Sequence, residues 1–175
     1  VKTSLVITFT GSDRPGIVNA LSQVVASHGG NWEKSRMARL AGRFAGILQV
    51  SVEADRARSL TEELERVGGL TVLVDRNPPA ELPLSERRLQ LELTGSDRPG
   101  LVREVAGVLA KRGVNIEELT TETTSAPMSG EALFRAVAEV RCPPHLDVEE
   151  LRRTVEQLSD DLMADIRLQD RAGER

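Results

Sequence analysis

The chain has 175 residues, 39 % of them hydrophobic and 29 % charged, with a formal net charge of −4. That balance is globular and excludes a fibrous or low-complexity chain, and it lacks the basic face that phosphate backbones require. Aromatics number only three Phe, one Trp and no Tyr, so the cores must be aliphatic and stacking platforms for bases are absent.

"SLVITFT" (4–10) sets Leu5, Ile7 and Phe9 against Ser4, Thr8 and Thr10, which predicts a strand. From Pro15 the apolar spacing changes to Ile17, Leu21, Val24 and Val25, a helix face that Gly29 and Gly30 end. "WEKSRMARL" (32–40) and "FAGILQVSVEA" (44–54) read as a hairpin turning at Ala41-Gly42-Arg43. Residues 55–69 carry Leu60, Leu64 and Val67 on one helical face, and "LTVLVDR" (70–76) closes with a strand. "NPPAELPLSE" (77–86) holds three prolines and is expected to be a linker over 77–87.

The same order then returns. "RLQLELT" (88–94) alternates Leu89, Leu91 and Leu93, and Leu101, Val105, Val108 and Leu109 supply a helix. Residues 116–125 and 132–141 form a hairpin around "APMSG", Val148 to Leu158 a second helix, and "LMADIRLQ" (162–169) a last strand before a tail expected to fray.

"TGSDRPG" occurs at 10–16 and again at 94–100, and the offset of 84 also aligns Leu5 with Leu89, Val18 with Val102, Gly29 with Gly113 and Asn31 with Asn115. The chain is an internal duplication. Two βαββαβ units predict an α+β protein of two ferredoxin-like sandwiches, over 1–76 and 88–170. Units of this size bury small cores, so packing of sheet faces or edges between copies, and a homo-oligomer, are expected.

Pro15 and Pro99 stand where each helix pattern begins, and proline is favoured as a first helical residue. The first free donors are then the amides of Gly16 and Ile17, and of Gly100 and Leu101. A helix N-terminus of this kind attracts a carboxylate, and glycine lets a ligand come close. Two readings stay open. Asp13 and Asp97 can cap their own helices, or the amides can hold a ligand carboxylate while an Asp or Asn meets its ammonium. Asn31 and Asn115 open the next strand, which is expected to return toward the same region.

The remaining chemistry-bearing residues are few. Cys142 stands alone, which excludes an internal disulfide or a thiolate cage, and it reads as a strand-end filler. His28 reads as a helix-end or core residue and His145 lies in a Pro-Pro-His turn. No Ser/His/Asp set, metal-ligand spacing or phosphate loop appears, so no enzyme, metal or cofactor is expected. Arg36, Arg39 and Arg43 recur closely, but alternation along a strand edge accounts for them as well as contact with nucleic acid does. With no signal-peptide pattern and no long apolar run, a cytoplasmic protein away from membranes is expected.

A "DRPG" corner in a βαββαβ frame, followed by "GxN" at the head of the second strand, resembles the ACT domain. Within that group "LVITFTGSDRPGIVNALSQVV" and "SRMARLAGRFAGIL" are similar to the glycine cleavage system transcriptional repressor family. The resemblance covers nearly the whole chain. It implies an amino-acid-responsive regulator, with a small amino acid such as glycine contacted by Asp13, Gly16, Ile17 and Asn31, and by Asp97, Gly100, Leu101 and Asn115. It further implies action on transcription through a protein partner, such as a transcription activator, with no direct contact to nucleic acid. The alternative is a regulatory subunit, or a module that binds an amino-acid-metabolising enzyme and no ligand.

Overall fold

The computed structural model describes residues 1–76, 78, 87–126 and 130–170. Most of the expected linker, the centre of the "APMSG" turn and residues 171–175 lie outside them. The chain divides into two units, Val1–Glu81 and Leu82–Arg175.

The first unit comprises β1 (Lys2–Ser12), α1 (Ile17–Ser27), β2 (Asn31–Leu40), β3 (Arg43–Glu53), α2 (Ala57–Glu65) and β4 (Leu70–Asp75). Its strands form one sheet in the order β2-β3-β1-β4, with every pair antiparallel. Period-two alternation turns Leu5, Ile7 and Phe9 of β1, and Leu48, Val50 and Val52 of β3, to one face. Ile17, Leu21 and Val25, and Leu60 and Leu64, recur at helical spacing and cover that face, all at 3 % exposure or less. Each such side chain withdrawn from water contributes about 1.5–3 kcal/mol before chain entropy is subtracted. The β2–β3 hairpin turns through Ala41 (φ 48°) and Gly42 (φ 76°), two residues with the positive φ that tight hairpins need.

The second unit repeats the plan with β5 (Arg87–Ser96), α3 (Leu101–Lys111), β6 (Asn115–Ser125), β7 (Ala132–Cys142), α4 (Val148–Leu162) and β8 (Asp165–Asp170), in the order β6-β7-β5-β8. Even the irregularities repeat. A bulge interrupts β2 between Trp32 and Lys34, and another interrupts β6 between Ile116 and Glu118. The fold is therefore α+β, two ferredoxin-like sandwiches in tandem, as the repeat implies.

Three boundaries differ from the expectation. Arg87, assigned to the linker, is the first residue of β5, because it pairs opposite Cys142 and its guanidinium meets Asp170 at 2.6 Å. Leu162, expected to open the last strand, ends α4 with its side chain buried. The turn after it is made by Met163 in the left-handed region (φ 50°), a conformation no letter there announces. Finally β1 runs from Lys2 to Ser12, beyond the apolar alternation at both ends, because its polar ends still pair with β3.

Candidate functional site

The repeated heptad forms the corner between β1 and α1, and again between β5 and α3. Gly16 has φ 89° and ψ 2°, and Gly100 has φ 96° and ψ −7°; both are N-caps in the left-handed region. These are the angles of the third position of a type II turn, with proline at the second. So Pro15 and Pro99 precede their helices rather than opening them, and the expected start is corrected by two residues. Pro-Gly is the stronger turn signal, and it takes precedence over proline's preference for the first helical position. Glycine is required here for its backbone angles.

Each N-cap carbonyl accepts the first helical bond, from the Ala20 amide at 2.8 Å and from the Glu104 amide at 3.0 Å. No side chain caps either helix. The capping role considered for Asp13 and Asp97 is thus corrected. The Asp13 carboxylate turns instead to Arg39 of β2, 2.7 Å away, and its backbone amide donates to the Gly42 carbonyl. The Asp97 amide makes the matching bond to the Ala132 carbonyl. By contrast, Asp147 caps α4 through the Glu149 and Glu150 amides, so the fold does use a carboxylate cap where nothing else competes. In α1 and α3 the first-turn amides have no acceptor within their own helix.

The two corners share a backbone but differ in surroundings. A side chain at Gly16 would meet nothing within 4 Å. Arg14 braces that corner by donating to the Gly68 carbonyl at 2.6 Å. At Gly100 the nearest atom is Glu104 Oε1, 3.6 Å from where a Cβ would stand, and Arg98 pairs with that carboxylate at 3.4 Å. Residue 20, which aligns with Glu104, is alanine. The first corner is therefore open to an incoming anion, whereas the second has a carboxylate of its own in the first turn.

Asn31 and Asn115 do not join their corners. Asn31 pairs with Ser51, which pairs with Ser4, near the far end of β1 from Ser12. Asn115 stands in the same relation, opposite Arg141 and hence Arg88 of β5. At about 3.3 Å per strand residue, roughly 26 Å of sheet separates asparagine and corner within one domain. The helix between them runs the length of the sheet, so its two ends cannot share a small ligand. Asn115 does border a polar cluster that sequence reasoning missed, in which Glu117 at the bulge meets Arg88 and Arg141, each at 3.1 Å. A bulge shifts a residue out of alternation, and periodicity alone carries no sign of it.

The other candidates occupy structural places. Cys142 ends β7 inside the core, and its burial pushes the thiol pKa up. His28 is the C-cap of α1, with Nδ1 2.9 Å from the Val24 carbonyl and Nε2 3.6 Å from Glu63. Among the described residues no helix is long and apolar enough to cross a membrane.

Comparison with known proteins agrees with this fold. Models of the ACT domain match residues 3–72 and, separately, residues 89–160. The glycine cleavage system transcriptional repressor of Escherichia coli (strain K12) is 27 % identical over 163 residues, covering 91 % of this chain and 86 % of that protein. The crystal structure of an unknown protein from Galdieria sulphuraria is 35 % identical, with a TM-score of 0.89, and covers 98 % of this chain and 100 % of its own. With both repeats matched and nearly every described element included, the chain belongs to the ACT-domain family, carrying two such domains in tandem.

Proposed function

We propose that this is a non-enzymatic regulator that binds a small amino acid at its Pro-Gly corners and acts through a protein partner. The observation that carries the reading is the pair of uncapped helix N-termini behind left-handed glycines, from which the chain's own aspartates are turned away or absent as caps. A ligand carboxylate satisfies the amides of Gly16 and Ile17, and a helix N-terminus favours its charge. Asp13, held by Arg39 at the surface, is close by for an ammonium group. In the second domain Gly100, Leu101 and Asp97 take the same parts, against the added charge of Glu104.

Asn31 and Asn115 contribute only where another ACT domain brings its strand head to the corner, as a second copy of the chain would. This supports a homo-oligomer as the ligand-binding form. Similarity to the glycine cleavage repressor over 91 % of the chain supports glycine metabolism as the regulated process and glycine as the first ligand to try. The net charge of −4 opposes direct DNA binding; the partner in this reading is a protein, such as a transcription activator, met in the cytoplasm. The domain limits proposed for separate expression are 1–76 and 87–170, the second moved back by one residue from 88 because Arg87 opens β5.

Thermal shift of the purified chain against a panel of amino acids tests the reading. A ligand at a hundred times its dissociation constant adds about 2.7 kcal/mol of stability. A flat response across the panel favours the ligand-free interaction module instead.

A further inference from the structure

The two domains pack the space between the first helix and the sheet differently. In the first, Phe9, Leu21, Trp32 and Leu48 fill it, and all belong to or pack on the core. At the same places the second domain has Leu93, Val105, Ile116 and Ala138, each smaller. Leu109 for Val25 and Ala136 for Gly46 restore only part of the lost volume. The result is an apolar cavity of about 30 Å³ between α3 and the β6–β7 hairpin, lined by those four residues among others. Val102 and Leu119 also line it and are 43 % and 44 % exposed, so apolar surface continues from the cavity to solvent.

We propose that this cavity, which adjoins the second Pro-Gly corner through the Leu101 side chain but is lined by side chains and not by the corner amides, is a further ligand site that takes the branched alkyl end of a small aliphatic compound. Its size sets the class. A group of water size needs roughly 10–15 Å³ of such space, so about two methyl-sized groups fit, the two arms of an isopropyl unit. An aromatic ring exceeds the space, and glycine has nothing to place in it. The lining offers no polar partner, which excludes a charged or hydroxylated end. A void of this kind loses the dispersion contacts that the first domain recovers with its own side chains, and an alkyl group from outside restores them.

The test is methyl NMR on the intact chain, titrated with L-valine and L-leucine, and with glycine and L-phenylalanine as controls. Valine or leucine is expected to shift the methyls of Leu93, Leu119 and Ala138 saturably, while both controls leave them in place. Leu93→Phe and Ala138→Leu each install the residue that the first domain packs there, and each is expected to weaken the effect at least tenfold. Should one variant fail to fold, the other decides. Shifts that are absent with both branched ligands, that survive undiminished in a folded filled variant, or that glycine also produces would overturn the proposal. Glycine binding at the corners registers separately, at the Ile17 and Leu101 amides with the Leu93 and Ala138 methyls unmoved, so the two readings fail independently.

Discussion

Gly16→Ala has an effect whose sign depends on the corner's backbone. At φ 89° an alanine suffers the left-handed penalty of about 1–2 kcal/mol. The unfolded chain gives back about 0.4–1 kcal/mol, because alanine leaves it less freedom to lose. No clash adds to this, since the space around Gly16 is open for 4 Å. The net loss is about 0–1.6 kcal/mol, a fall in Tm of up to roughly 13 °C for a domain of this size. Were Gly16 helical, the same change would stabilise by up to about 1 kcal/mol. Gly107→Ala is the internal control, because Gly107 lies inside α3 with nothing within 4 Å of its missing Cβ and should gain stability. Thermal melts of both variants, with amino-acid affinity measured on each, make the comparison. Gly16→Ala melting above the parent's temperature would refute the corner geometry and the site argued from it.

Glu104→Ala should raise the affinity of the second corner for a carboxylate ligand, visible as a second equivalent of binding in calorimetric titration. Asp13→Ala should cost less than about 1 kcal/mol in a denaturant melt, since it breaks an exposed ion pair with Arg39 and no cap. Met163→Gly should stabilise the second domain by about 1 kcal/mol in the same assay, because Met163 is 90 % exposed and contributes mainly left-handed strain. Cys142 should resist alkylation at pH 8 until the protein unfolds, because burial both shields the thiol and raises its pKa; rapid labelling of folded protein would contradict its place in the core.

Much of the fold was legible because it is written twice. Leu89, Leu91 and Leu93 alternate cleanly enough to define β5, and the 84-residue offset carries that reading back to the less regular β1. The heptad was legible as a repeated strand-to-helix corner, but its conformation was not. Pro-Gly is compatible with a helix start and with a type II turn, and the letters do not state φ. The partner of Asp13 was hidden because Arg39 is distant in sequence and reaches it only through the β2–β3 hairpin. Asn31 was misplaced for a topological reason: a helix that runs antiparallel to β1 delivers the next strand to the opposite end of the sheet. Met163 was missed because it takes a backbone conformation that glycine usually marks. The cavity in the second domain emerges only when aligned core positions are compared by size as well as polarity.

The most direct test of the central claim is the amide NMR spectrum of the intact chain, titrated with glycine and then with each other common amino acid. The account predicts that at least one of them moves the Gly16, Ile17 and Val18 amides together and saturably, as a carboxylate settles on the first turn of α1. A panel that leaves all three amides unmoved, up to the solubility of each ligand, would contradict it.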